Sequence, residues 1–255
     1  MFDLSGRVAI VTGSSKGIGK AIAQAMAAHG ARVVVSSRKA PACEAVVEEI
    51  NAACGDGPGG AIAIPCNVSD RDQLEILVAK TRAELGKIDI LVGNAAVNPY
   101  FGSTADIPDS AFNKIMEVNI RSNHWLCNMV IPDMLELGRG AIIIISSTGG
   151  LKGSTVLGAY AISKAADMQL VRNLAVEYGK KGIRANAIAP GLIKTDFAQA
   201  LWDNPDIRGR YETECPQGRI GQPEEIAGTA VYLASAASGF MTGQTLVVDG
   251  GVSIS

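Results

Sequence analysis

Short apolar, β-branched runs alternate with longer helical patterns along the whole chain, and this alternation leaves few folds open. Val8–Val11, Val33–Val35, Ala61–Ile64, Ile88–Val92, Ala141–Ile145, Ile183–Ala189 and Thr245–Val248 read as strands. Between them, 18–28, 41–53, 71–85, 109–137, 158–178 and 223–234 read as helices, with Asp70 as the N-cap of the third. Ala141–Ile145 is apolar throughout, as a strand covered on both faces must be. Strand–helix–strand repetition at this spacing builds right-handed crossovers and one parallel sheet. No break in the pattern separates domains, so residues 1–255 are expected to form one unit. The long irregular segment from Leu192 to Gly221 carries Phe197, Leu201, Trp202 and Tyr211, which suits a substrate lid.

The first strand runs into Thr12-Gly13-Ser14-Ser15-Lys16-Gly17-Ile18-Gly19. Gly13 permits the tight turn, Gly17 lets backbone approach a pyrophosphate, and Gly19 lets helix and strand pack closely. The following helix offers free N–H groups and a positive dipole end to phosphate. The spacing is G-x-x-x-G-x-G rather than the common G-x-G-x-x-G, but it sits at the first strand–helix junction, where phosphate binding requires it. With the alternation, it implies an α/β, Rossmann-type doubly wound sheet of seven mostly parallel strands, flanked by helices on both faces.

The bulk chemistry excludes several classes. A net charge of −2 without a basic block argues against nucleic acid. No apolar run is long enough for a bilayer span and no signal peptide is visible, so a cytoplasmic location is expected. Five cysteines without a C-x-x-C pair, and only two histidines, His29 and His124, leave little for a disulfide framework, a metal site or a histidine triad.

The second strand ends Val35-Ser36-Ser37-Arg38, where many dinucleotide sites carry an acid for the ribose 2′-hydroxyl. A guanidinium there can instead hold a 2′-phosphate bidentately, with Lys16 on the other side of the same phosphate. This favours NADP(H).

Tyr160 and Lys164 are four residues apart in a helical pattern and share a face at about 100° per residue. An isolated phenol is a poor proton carrier at neutral pH, and a nearby ammonium favours its ionised form. Tyr160 can then protonate a carbonyl oxygen as hydride arrives, or take a proton from an alcohol. Ser146-Ser147 ends the preceding strand, at the sheet edge where ligands bind in such folds. Asn119, inside an apolar helical stretch, needs buried partners such as a backbone carbonyl and a water near Lys164.

Taken together these residues resemble the short-chain dehydrogenase/reductase family over essentially the whole chain: Thr12–Gly19, Asn67-Val68, Asn94-Ala95-Ala96, Asn119, Ser147, Tyr160-x-x-x-Lys164 and Pro190-Gly191. The family serine precedes its tyrosine by thirteen positions, which selects Ser147. The resemblance implies a tetrad of Asn119, Ser147, Tyr160 and Lys164, with Lys164 on the nicotinamide ribose and Asn119 holding a relay water. It implies cofactor contacts from Gly13, Ser15, Lys16, Gly17, Ile18 and Gly19, from Asn67, Val68, Asn94, Ala95 and Ala96, from Tyr160 as well as Lys164, and from Pro190, Gly191, Ile193 and Thr195 at the nicotinamide end. Asn67 stands where the family favours Asp, and Ala96 where it favours Gly.

The segments Val34-Val-Ser-Ser-Arg38-Lys39, Asn94-Ala-Ala-Val-Asn-Pro99 and Ala189-Pro-Gly-Leu-Ile-Lys-Thr195 resemble more narrowly the NADP-dependent carbonyl and retinol reductases of peroxisomes. Ser37, Arg38 and Lys39 are then expected around the 2′-phosphate. The Ser253-Ile-Ser255 end is not a Ser-Lys-Leu address. Substrate contacts are expected from Val97, Leu151, Leu157, Leu192, Phe197 and Trp202, a mostly apolar set that suits a neutral small-molecule ketone or aldehyde. The alternatives are a 3-oxoacyl carrier-protein reductase, with Lys152 and Lys194 greeting the carrier, and a non-catalytic dinucleotide-binding redox sensor. No membrane or nucleic-acid partner is expected, and the apolar 109–137 and 158–178 helices point to a homotetramer, as in the family.

Overall fold

The computed structural model describes residues 1–255. Seven strands form one sheet: β1 (Val8–Thr12), β2 (Arg32–Ser36), β3 (Gly60–Ala63), β4 (Ile90–Gly93), β5 (Gly140–Ile145), β6 (Ile183–Pro190) and β7 (Thr245–Val248). Their order is β3-β2-β1-β4-β5-β6-β7 and every pairing is parallel. The helices are α1 (Gly17–Ala28), α2 (Ala40–Cys54), α3 (Arg71–Leu85), α4 (Asp109–Ile115), α5 (Ser122–Leu137), α6 (Gly158–Tyr178), α7 (Gln199–Trp202), α8 (Pro205–Glu214) and α9 (Pro223–Ala234).

The apolar strand runs need cover on both faces, and they receive it. On one face α1, α2 and α9 pack through Ile22, Met26, Val46, Ile226 and Val231. On the other, α3, α5 and α6 pack through Leu77, Val130, Met134 and Val171. Each strand supplies alternate residues to the two cores, so Ile10, Leu91 and Ile142 face one layer while Val11, Val92 and Ile143 face the other. The chain reverses direction across the sheet between β1 and β4, which opens a crevice beyond their carboxyl ends. No helix is long and apolar enough to cross a membrane.

Two expectations change. Residues 109–137 are not one α-helix, because a π-helical turn, Met116–Arg121, separates α4 from α5. Side chains one turn on serve carbonyls at this irregularity: the Ser122 hydroxyl donates to Val118 O (2.5 Å) and the Asn123 amide to Asn119 O (2.9 Å). Nor is 192–221 irregular throughout, since it contains α7 and α8. Asn204 caps α8, accepting from the N–H groups of Asp206 and Ile207.

Candidate active site

A cavity of about 1070 Å³ runs from the β1–α1 loop, across the β4 and β5 ends, to the 192–221 segment. That volume exceeds what a drug-sized ligand alone requires and suits a dinucleotide with a small substrate beside it.

The loop end is shaped by backbone. Gly13 has φ +64°, the left-handed region that disfavours a side chain, and the backbone of Ala95 lies against it. A Cβ on Gly19 would stand 2.5 Å from both Gly13 O and the Asn94 side-chain nitrogen. Asn94 organises the crossing: its amide donates to Thr12 O (2.9 Å) and Gly13 O (3.1 Å), and its N–H donates to the Thr12 hydroxyl (3.0 Å). The loop therefore presents bare N–H groups of α1 to the cavity, a cradle suited to a pyrophosphate. Ser15, Gly17, Ile18, Ser37, Arg38, Asn67, Val68, Ala95 and Ala96 line this half; Pro190, Gly191, Ile193 and Thr195 line the other.

Lys39 does not line the cavity: it is the exposed residue before α2. Lys16 lines the cavity, but its ammonium pairs with Asp196 at 3.0 Å, both side chains exposed, rather than standing free for a phosphate.

At the β5 end the two serines divide. Ser146 is buried and its hydroxyl donates to Lys164 O (2.7 Å), which ties β5 to α6. Ser147 lines the cavity with Tyr160, and its hydroxyl accepts from Gly149 N–H (3.0 Å). Lys164 Nζ lies 5.7 Å from the centre of the Tyr160 ring, as the shared helix face requires.

The electrostatics at Tyr160 differ from the expectation. Enclosure pushes the phenol up; Lys164 and Ser147 pull it down, Asp167 adds to the rise, and the net direction is upward. Lys164 is 2 % exposed. Burial opposes its ammonium, but Asp167 and Tyr160 outweigh burial and raise its pKa. Tyr160 is thus protonated at neutral pH, ready to donate.

Asn119 has the buried partners it needs, at a different place. Its Oδ1 accepts from Val97 N–H (2.9 Å), and its Nδ2 donates to Val97 O (3.0 Å) and to the Ser163 hydroxyl (3.0 Å). The Asn119 side chain therefore clamps the Val97 segment against α6 and does not itself reach Lys164.

Leu157, Leu192 and Phe197 line the remaining volume with Val97, and the Phe197 ring lies 6.1 Å from that of Tyr160. Leu151 and Trp202 do not line it. Leu151 is 47 % exposed, and the Trp202 indole donates to Thr195 O (2.7 Å) beneath Lys194. Lys194 is occupied by that stacking and is likewise absent from the cavity wall, whereas Lys152 belongs to it. Leu201, Ile207 and Tyr211 line the wall instead. Tyr211 also fastens the segment: its oxygen accepts from Leu192 N–H (3.0 Å) and donates to Asp249 O (3.3 Å).

Sequence reasoning missed Asp167 and Asn123. Asp167 is buried and paired with Lys164 at 3.0 Å. The i, i+3 spacing inside an apolar helix was the available signal.

A family model described as enoyl-(acyl carrier protein) reductase matches residues 13–253. Dehydrogenase/reductase SDR family member 4 of Bos taurus is 40% identical over 248 residues, covering 97% of this chain and 88% of the relative. The Homo sapiens protein of the same name is 38% identical with the same coverage. The structure of a gluconate 5-dehydrogenase from Burkholderia cenocepacia in complex with NADP and tartrate superposes with a TM-score of 0.94 at 31% identity, covering 100% of this chain and 98% of that one. A 7α-hydroxysteroid dehydrogenase complexed with NADH and 7-oxo glycochenodeoxycholic acid gives 0.93 at 39% identity, covering 98% and 95%.

Proposed function

The chain belongs to the short-chain dehydrogenase/reductase family of oxidoreductases, and we propose that it is an NADP(H)-dependent reductase interconverting a ketone or aldehyde with its alcohol. The carrying observation is Tyr160 beside Ser147, with Lys164 behind, at one end of a cavity whose other end is the glycine cradle. Bound along that cavity, the dinucleotide supplies the hydride for reduction and accepts it in oxidation. Ser147 holds the substrate oxygen, and the Tyr160 hydroxyl gives it a proton in reduction or takes one back in oxidation. Lys164, 5.7 Å from the centre of the Tyr160 ring, would hold the nicotinamide ribose. Asn119 acts at one remove, by fixing Val97 beside the substrate. Residues 1–255 form one catalytic unit in this reading, with 192–221 as its lid.

Arg38 supports the choice of NADP(H): it is exposed at the cavity edge after β2, with Ser37 beside it and no carboxylate to repel a 2′-phosphate. The related structures contain NADP in one case and NADH in another, so the assignment rests on this residue. The apolar wall of Leu157, Phe197 and Leu201 favours a neutral, largely apolar carbonyl compound. A carrier-borne 3-oxoacyl substrate is the second reading, favoured by Lys152 in the cavity wall. A non-catalytic redox sensor would have no use for Tyr160 beside Lys164.

NADPH and NADH titrations of the purified protein, followed by a panel of ketones, aldehydes and 3-oxoacyl thioesters, test the reading. Consumption of NADPH by a simple carbonyl is expected; tight NADPH binding with no turnover on any of them would refute it. Arg38→Asp should weaken NADPH by about ten- to a hundredfold, the loss of a charge-assisted contact of roughly 1.5–3 kcal/mol, and leave NADH nearly untouched. Equal losses would remove Arg38 from the 2′-phosphate site.

The assembly proposed is a homotetramer. Val176 and Ile162 on α6 are 87 % and 52 % exposed, an apolar surface that a second copy would cover. Sedimentation equilibrium should give four chains; a monomer at micromolar concentration would contradict it.

A further inference from the structure

The catalytic lysine of this chain carries a buried carboxylate. Lys164 Nζ donates to Ile145 O at 2.8 Å and to Asp167 Oδ2 at 3.0 Å. Both side chains are shut off from solvent, 2 % and 0 % exposed. The other carboxylate oxygen, Oδ1, accepts from Asn123 Nδ2 at 3.0 Å, and the same amide donates to Asn119 O at 2.9 Å. The acid therefore links α6 to the residue that supports the π-helical turn.

An ammonium has three donors. Ile145 and Asp167 take two, in directions set by β5 and α6, so a single N–H remains for the cavity. A buried pair of this kind is weak evidence for stability, since desolvation offsets much of the attraction. Its effect here falls on charge and position. The titratable and charged groups facing Asp167 are Lys164 and Tyr160 on α6 and Cys127 on α5, the thiol being pushed up to about 12 by burial and by Asp167. Burial lifts the Asp167 carboxyl further than Lys164 and Asn123 lower it, so its pKa lies above the ordinary carboxylate value; the ionised form is favoured locally by the two donors on its oxygens, Lys164 Nζ and Asn123 Nδ2.

We propose that Asp167 is a positioning residue of the active site, holding Lys164 with one N–H directed into the cavity and offsetting its charge at Tyr160. The proposal rests on the oxidoreductase reading for its use in turnover, but its electrostatic core belongs to the folded protein alone. A lone ammonium beside the phenol would favour phenolate. The carboxylate behind the ammonium opposes this and keeps Tyr160 in the proton-donating form that carbonyl reduction uses.

The test titrates Tyr160 in the protein without added cofactor, as phenolate absorbance of the wild type minus that of Tyr160→Phe. Asp167→Asn removes the charge at nearly constant volume and leaves the Lys164 Nζ bond to Ile145 O in place. The Tyr160 midpoint should fall by about one pH unit, a tenfold change in its acid dissociation constant. The alkaline limb of kcat for reduction should move down with it, with little change in KM for the carbonyl. A midpoint that stays in place or rises, with only thermal stability lost, would overturn the proposal and leave Asp167 a structural ion pair. If Asp167→Asn does not fold, Asp167→Ser, smaller and also neutral, carries the same titration: a fall in the Tyr160 midpoint supports the proposal and an unmoved or higher midpoint overturns it. These titrations need no substrate, so a failure of the carbonyl panel would count against the proposed reaction and not against this pairing.

Discussion

Tyr160→Phe should lower kcat for carbonyl reduction by about a hundred- to ten-thousandfold, the range associated with a positioned general acid, and leave NADPH affinity unchanged. The substitution removes one oxygen and keeps the ring. Packing against Phe197 at 6.1 Å and the approach of Lys164 at 5.7 Å are ring contacts, so fold and cavity shape should persist. What disappears is the phenol hydroxyl on the helix face shared with Lys164, in the cavity that Ser147 also lines. The wild-type pH profile has a definite sign. Enclosure raises the phenol's pKa despite Lys164, so the acid form is present at neutral pH, and reduction declines only as pH rises through that elevated value. Oxidation, which uses the phenolate, should rise through the same value. Steady-state kinetics across pH, with NADPH binding followed by fluorescence, check both statements. Near-wild-type turnover of Tyr160→Phe would require a different proton carrier.

Gly19→Ala should damage cofactor binding and stability together. The added Cβ would meet Gly13 O and the Asn94 amide nitrogen at 2.5 Å, closer than real Cβ contacts allow; the first is backbone and the second a side-chain end held by two hydrogen bonds. Asn94 is committed to Thr12 O and Gly13 O, so moving it opens the crossing between β1 and β4. Overpacking of this kind costs about 1–3 kcal/mol, a fall of several degrees in Tm for a chain of this length. The displaced Gly13 carbonyl also shifts the loop that presents the α1 N–H groups, so NADPH Kd should rise at least about tenfold, some 1.4 kcal/mol of binding. Gly228→Ala is the control. It lies in α9, where a Cβ meets nothing within 4 Å, and both quantities should hold or improve. Wild-type NADPH affinity in Gly19→Ala would mean that the cradle does not bind phosphate.

Much of this frame was legible before any coordinates. Val8–Val11 and Ala141–Ile145 announce parallel strands because a strand covered on both faces has no polar positions to spare. Tyr160 and Lys164 were found by helical spacing, and α6 spans the predicted 158–178. The misses have physical causes. The π-helical turn Met116–Arg121 goes with side-chain bonds from Ser122 and Asn123 to carbonyls one turn back, which periodicity does not register. Leu151 and Trp202 sit in segments without a repeating pattern, so their directions follow from contacts such as the indole bond to Thr195 O. The Lys16–Asp196 pair joins residues 180 positions apart.

By itself, then, the sequence determined the layer architecture, the glycine cradle at the first crossover and the tyrosine–lysine face of α6. These are set by local periodicity and by backbone conformations that few residue types allow. Only the tertiary structure decided what surrounds that face. Asp167 and Asn123 are separated by 44 positions and meet because α5 and α6 pack on the same side of the sheet. Which groups share a dry interior, and hence which charges are felt at Tyr160, depends on that packing.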